Sequence, residues 1–197
     1  PPTPIAADGS VHEAGLKALI EDNIANGVGG FWMAGSTGEG PILTEEQRET
    51  VARVSGEVTQ GKALAIMHVG AISTASAARA AKQAKEYGCA AVCCVPPFFF
   101  RTSEQSQIDH YKAVADAADG LPFFVYNLPQ LTQVETVPPL MAKFMDAVPS
   151  IVGLKHSAAN FADIRTFADM GLKCFSGNGA LPLPSLTMGA VGTVDAP

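Results

Sequence analysis

Short apolar runs alternate with longer stretches of mixed character along the whole chain. The runs at residues 30–34, 63–69, 91–95, 123–126, 151–155, 172–175 and 192–194 predict seven strands. They are apolar throughout rather than alternating, which is the pattern of parallel strands covered on both faces. Between them lie helical stretches with recognisable starts. Ser10 precedes a helix predicted over 11–26, Thr44-Glu45-Glu46-Gln47 forms a capping box, Ser73 precedes 74–87, and Ser103 precedes 104–118. Pro138-Pro139 suit the first turn of a helix reaching Met145, Asn160 is a candidate cap for one reaching Met170, and 180–188 predicts a short helix with Pro182 and Pro184 near its start.

Each strand-plus-helix unit takes roughly 30 residues, the size of a βα crossover. Two α/β architectures use such units, the open doubly wound sheet and the closed (β/α)8 TIM barrel. The open sheet calls for a glycine-rich G-x-G-x-x-G turn after an early strand. The nearest stretch, Gly35-Ser36-Thr37-Gly38-Glu39-Gly40, has the wrong spacing and lacks a downstream acidic ribose reader. Seven strands, with a remnant of an eighth around residues 2–5, therefore predict a single (β/α) barrel domain over residues 1–197. A barrel of this type takes about 250 residues, so the chain is expected to be a fragment, incomplete at its N-terminal strand and lacking the C-terminal helices.

Composition narrows the functional classes. With 47% hydrophobic and 16% charged residues the chain has material for a large core. Thirteen Lys plus Arg against nineteen Asp plus Glu leave a net charge of -6, and no basic cluster offers a footprint for nucleic acid. No apolar run approaches the roughly 20 residues needed to span a bilayer, so no membrane partner is expected and a cytoplasmic protein is the default. Cys89, Cys93 and Cys94 crowd one apolar segment while Cys174 lies far away, which argues against a disulfide framework. Neighbours on a strand point to opposite faces, so these cysteines read as small buried apolar residues and not as metal ligands.

In a barrel the working groups sit where strands end and βα loops begin. Gly35-Ser36-Thr37-Gly38-Glu39 could turn backbone N–H groups and two hydroxyls onto an anion such as a carboxylate, or be an ordinary glycine turn. Tyr126, ending the run Phe123-Phe124-Val125, places at the mouth a phenol able to relay protons, or a half-buried aromatic with a satisfied hydroxyl. Lys155 ends an apolar strand, where desolvation favours the neutral amine needed to form an imine with a carbonyl; the alternative is a lysine reaching to the rim or paired with a carboxylate. His68 and His156 also sit at strand ends, without an acidic residue at ligand-like spacing, and read as satisfied polar residues.

These ends, in this order, resemble the pyruvate-dependent class I aldolases that include N-acetylneuraminate lyase and dihydrodipicolinate synthase. The resemblance begins at Thr3-Pro4 with Asp8-Gly9 and passes through Gly35-Ser36-Thr37-Gly38-Glu39, Pro96-Pro97-Phe98, Tyr126-Asn127-Leu128-Pro129 and Gly153-Leu154-Lys155. It closes on Ser176-Gly177-Asn178 and Gly189-Ala190-Val191-Gly192, so it covers nearly the whole chain. It implies that Lys155 forms a Schiff base with the C2 carbonyl of a 2-oxo acid and that Tyr126 shuttles the proton of the C4 hydroxyl. Ser36 and Thr37 would hold the carboxylate, with Gly177 and Leu131 in the substrate-binding surface. It implies no metal and no organic cofactor, and a homotetramer as the full-length assembly.

Departures from the family pattern refine the expectation. Where the synthase branch commonly carries an arginine after Tyr-Asn-x-Pro, this chain has Leu131, which disfavours dihydrodipicolinate synthesis. Phe99 stands where many members carry a second tyrosine donated across a dimer interface. Gly179-Ala180 stand where bacterial sialic acid lyases use an Asp-Glu pair to bind sugar hydroxyls, so a smaller 2-oxo sugar acid suits the chain as well as sialic acid does. The expected activity is a lyase or aldolase joining or parting pyruvate and an aldehyde. Synthase-like condensation, a keto-deoxy-sugar-acid dehydratase on the same imine chemistry, and an inactive fragment are its rivals.

Overall fold

The computed structural model of the chain describes residues 1–194. Seven parallel strands, β1 (Gly30–Met33), β2 (Leu64–His68), β3 (Ala91–Cys94), β4 (Phe123–Asn127), β5 (Ile151–His156), β6 (Lys173–Ser176) and β7 (Gly192–Thr193), pair in sequence order within one sheet. Helices α1 (Glu13–Ala25), α2 (Glu45–Thr59), α3 (Thr74–Glu86), α4 (Glu104–Ala117), α5 (Pro129–Thr132), α6 (Pro138–Ala147), α7 (Asp163–Asp169) and α8 (Pro182–Thr187) connect them. All seven predicted strands form, each within a residue or two of its expected bounds.

The sheet curls. Neighbouring strands lie about 4.8 Å apart, so in a flat sheet β1 and β6 would stand about 24 Å from each other. Instead the Trp32 ring of β1 meets the Phe124 ring of β4 at 5.4 Å and the Phe175 ring of β6 at 5.5 Å, both edge-on. Alternate side chains therefore split into two cores. Trp32, Ile66, Cys93, Phe124 and Tyr126 fill the concave interior. Phe31, Met33, Met67, Val92, Phe123, Val125 and Leu154 pack outward against the helices. This is the arc of a (β/α) barrel, with β1 and β7 at its edges among the described residues.

One strand breaks the alternation. Ile151 and Leu154 both belong to the outer core although they are three residues apart. The phase changes at Val152 and Gly153, where the register with β4 slips: Phe123 pairs with Ile151 but Phe124 pairs with Gly153. Val152 packs against the interior cluster, and a Cβ on Gly153 would point at the Phe124 ring. This bulge turns Lys155 inward, because strict alternation from Ile151 would send it out to the helix layer.

Helix starts follow the expected caps in part. Thr44 and Gln47 form the reciprocal capping box of α2, and Ser73 and Ser103 cap α3 and α4. Helix α1 starts two residues late, capped by His12, whose Nδ1 accepts from the Gly15 N–H at 2.9 Å, while Ser10 is held by Asp8 in the preceding turn. Asn160 does not cap α7, which follows Ala162 without a side-chain cap. The remnant strand expected around residues 2–5 is a loop, joined by an isolated antiparallel bridge between Ile5 and Val11 and by Thr3 Oγ1 donating to the Gly38 carbonyl. The expected loss of C-terminal helices concerns chain outside the described residues. Among the described residues, no helix is long and apolar enough to cross a membrane.

Candidate active site

The loop after β1 winds tightly on its own start. Ala34 takes a left-handed backbone (φ 51°), and a Cβ at Gly40 would fall 1.9 Å from the Ala34 carbonyl oxygen, so only glycine closes the turn. This presents Ser36 and Thr37 at the carboxyl end of β1, where both line a cavity of about 690 Å³ together with Trp32, Lys155, Phe175 and Val194.

Lys155 and Tyr126 meet because their strands are in register. They are direct partners across β4 and β5, both turned inward, and Lys155 Nζ lies 4.5 Å from the centre of the Tyr126 ring. The Tyr126 hydroxyl in turn stands 3.2 Å from Ser36 Oγ. Both Tyr126 (3% exposed) and Lys155 (9% exposed) are buried, so the amine stands over the phenol ring with little water around the pair. Lys155 belongs to the cavity lining, whereas Tyr126 packs against Lys155 and Ser36 without being part of that lining. Three strand ends far apart in sequence thus converge.

Residues 1–196 match the Dihydrodipicolinate synthetase family. The chain belongs to that family. It is 41% identical over 133 residues to N-acetylneuraminate lyase of Shigella boydii serotype 4, a match covering 68% of this chain and 45% of that relative. The chain thus spans about half the length of the curated relatives it matches. The prophage protein YagE of E. coli K12, solved in complex with pyruvate, superposes with a TM-score of 0.92 at 26% identity, covering 98% of this chain and 67% of YagE. A catalytic lysine mutant of Ruminococcus gnavus sialic acid aldolase superposes with a TM-score of 0.94 at 25% identity, covering 98% of this chain and 64% of its own.

The other residues expected in the site of this family member are placed unevenly. Gly177 lies against the lysine: a Cβ there would sit 3.2 Å from Lys155 Cε and 2.0 Å from Ser157 Oγ, so the missing side chain leaves room for the Lys155 stem. Leu131, on α5, is 63% exposed and lies outside the cavity lining. Phe99 is held at φ 82° and is 71% exposed, edge-on to Phe100.

The motif residue Asn127, fully buried, works as a fastener. It donates from Nδ2 to the Thr136 carbonyl at 2.9 Å and accepts the Thr136 N–H at 3.0 Å, tying the segment after α5 to the end of β4. His156 donates from Nε2 to the Asn160 carbonyl at 3.0 Å, with Asn127 Nδ2 at 3.3 Å from its Nδ1. Burial pushes the thiols of Cys93 and Cys174 up to about 12 and that of Cys89 up to about 11, and raises Cys94 as well. Cys93 faces the interior and Cys94 the helices, as the strand alternation requires. Asn127 carried no sequence signal beyond its place in the motif. Its partner is a backbone amide nine residues away that only the fold brings near.

Proposed function

We propose that this chain carries the Schiff-base site of a pyruvate-dependent class I aldolase acting on a 2-oxo acid. The supporting observation is the buried Lys155 amine facing the Tyr126 ring, with the Tyr126 hydroxyl on Ser36. In the cleavage direction the Lys155 ammonium gives up a proton and its nitrogen adds to the C2 carbonyl; that proton and one more from the nitrogen leave with the carbonyl oxygen as water, so a protonated imine remains. As the C3–C4 bond breaks, the Tyr126 oxygen accepts the proton of the C4 hydroxyl and passes its own through the Ser36 hydroxyl to the substrate carboxylate held there. The bonding pair moves into the imine, which becomes an enamine, and the aldehyde departs. Return of the proton to C3 and hydrolysis release pyruvate and restore the amine. Ser36 and Thr37, with the N–H groups of their turn, would hold the carboxylate. The Ser36 hydroxyl also holds the Tyr126 oxygen beside the carboxylate-holding turn.

The substrate branch is that of sialic acid or a smaller 2-oxo sugar acid. Support comes from the identity to an N-acetylneuraminate lyase and from Leu131, which offers no guanidinium to a second carboxylate. The exposed, conformationally strained Phe99 suits a contact with a second copy, in keeping with a homotetrameric assembly. Neither a metal nor an organic cofactor enters the chemistry.

Trapping tests the reading. Borohydride added with pyruvate should reduce the imine and leave one pyruvate-derived group on Lys155, and Lys155→Ala should abolish the adduct. Equal trapping in that variant overturns the assignment. Pyruvate release from a panel of 2-keto-3-deoxy sugar acids and sialic acid, compared with condensation of pyruvate with aspartate semialdehyde, separates the branches.

A further inference from the structure

We infer that His68 is a positioning residue for the carboxylate-holding turn, its ring tying the carbonyl at the start of Gly35-Ser36-Thr37 to the ring of Tyr126. The inference rests on the aldolase reading above and assigns a role to a side chain that does not line the cavity.

His68 ends β2, two residues after Ile66, and shares its inward face. It is 2% exposed. Its Nδ1 lies 3.0 Å from the carbonyl oxygen of Ala34, the left-handed residue on which the turn is wound. A carbonyl only accepts, so the ring proton resides on Nδ1 and the tautomer is set. The same ring stands edge-on to Tyr126, centroids 5.8 Å apart and planes at 89°. One imidazole therefore braces both the backbone leading into Ser36 and the phenol that Ser36 meets.

Stability alone does not account for it. With Nδ1 donating, Nε2 is a buried acceptor without a partner among the described residues, and such an orphan costs roughly 1–3 kcal/mol. An apolar residue would avoid that cost and could not hold the carbonyl. The surroundings keep the ring neutral. Arg48, buried on α2, donates from Nη2 to the His68 carbonyl at 3.1 Å and to the Gly70 carbonyl at 3.2 Å, and its cation, with that of Lys155 on β5, opposes a second proton. The other groups packed on the ring, Ala34 after β1, Cys93 on β3 and Tyr126 on β4, bring no negative charge. Burial is the larger cause, and together they bring the imidazole down to about 3.

The test compares side chains that place an N–H differently. An asparagine amide sits where Nδ1 sits and a glutamine amide lies one bond further out. The pyruvate concentration giving half-maximal borohydride trapping should stay within about threefold in His68→Asn and rise about tenfold or more in His68→Gln and His68→Leu. Equal values for Asn and Gln, or a Leu variant matching wild type, overturn the inference. The pH dependence of trapping should be superimposable for wild type and His68→Asn between about pH 5 and 8, and a step near 6.5 present only in wild type overturns it too. Amide hydrogen exchange at Glu39 and Gly40, whose N–H groups donate to the Ser36 and Gly35 carbonyls, reads the brace without catalysis: it should quicken in His68→Leu and Gln and not in Asn. If wild type is not trapped at all, the aldolase reading falls, and exchange still decides whether His68 holds the turn.

Discussion

Replacing Gly153 by alanine tests how the nucleophile is delivered. The added methyl would sit 2.2 Å from the Lys173 carbonyl oxygen and 2.6 and 2.9 Å from two atoms of the Phe124 ring, where ordinary contact begins at 3.4 Å. The ring can tilt, but the carbonyl belongs to the β5–β6 ladder at the Gly153–Lys173 pair, so the strands must part by about 1.2 Å or the bulge must be lost. Overpacking of this kind costs about 1–3 kcal/mol, and contacts on two sides place it at the upper end. At about 2–4 °C per kcal/mol for a chain of this size, the melting temperature should fall by about 6–12 °C. If the strand instead straightens, Lys155 turns toward the helices and trapping with pyruvate disappears. Even a partial shift of about 1 Å should slow trapping about a hundredfold. Adding Phe124→Leu removes the ring contact and leaves the carbonyl contact, so recovery should be partial. The assays are calorimetry and the borohydride rate on the same samples. A Gly153→Ala protein melting within about 2 °C of wild type and trapped equally fast refutes the argument that the bulge aims Lys155.

Two further outcomes follow from the same geometry. Tyr126→Phe keeps the ring under Lys155 and removes the proton carrier, so trapping should persist while turnover falls by about 10²-fold or more; an unchanged turnover number would remove Tyr126 from proton transfer. His110, packed between Thr74 Oγ1 at 2.9 Å and Cys94 Sγ at 3.5 Å, is held down to about 4 by burial. Its folded value lies below the unfolded one, so the unfolded chain takes the proton first and folding stability drops as pH falls from about 6.5 to about 4. In urea unfolding, the loss between pH 7 and 5 should be about 2 kcal/mol smaller in His110→Gln than in wild type, and an equal loss would show that this ring does not carry it.

The strands, their order and their parallel sense were legible in the sequence, because a strand buried on both faces must be apolar along its whole length and a crossover helix must carry a polar side. Three helix starts were legible too, since Thr44, Ser73 and Ser103 act on amides two or three residues away. The first helix was misplaced because Asp8 draws Ser10 into the preceding turn and His12, two residues on, caps the helix instead by accepting the Gly15 N–H. Ser36, Thr37, Tyr126 and Lys155 could be singled out as strand-end residues, and a lysine closing an apolar run is unusual enough to notice without a fold.

What the chain's letters alone do not contain is which face each of those residues takes. Counted along the strand, Lys155 belongs with Ile151 on the helix side. It faces Tyr126 because β5 carries one more residue than β4 opposite Phe123 and Phe124, and that bulge is held by the Lys173 carbonyl and the Phe124 ring crowding a glycine. The brace of His68 on Ala34 and the fastening of Thr136 by Asn127 are of the same kind. Apolar periodicity and capping are local, acting over a few bonds, so sequence by itself determined the elements and their order. Register, bulge and buried polar pairing depend on atoms that meet only after the sheet has curled, so tertiary structure decided that an amine and two hydroxyls share one cavity, with a phenol packed against them.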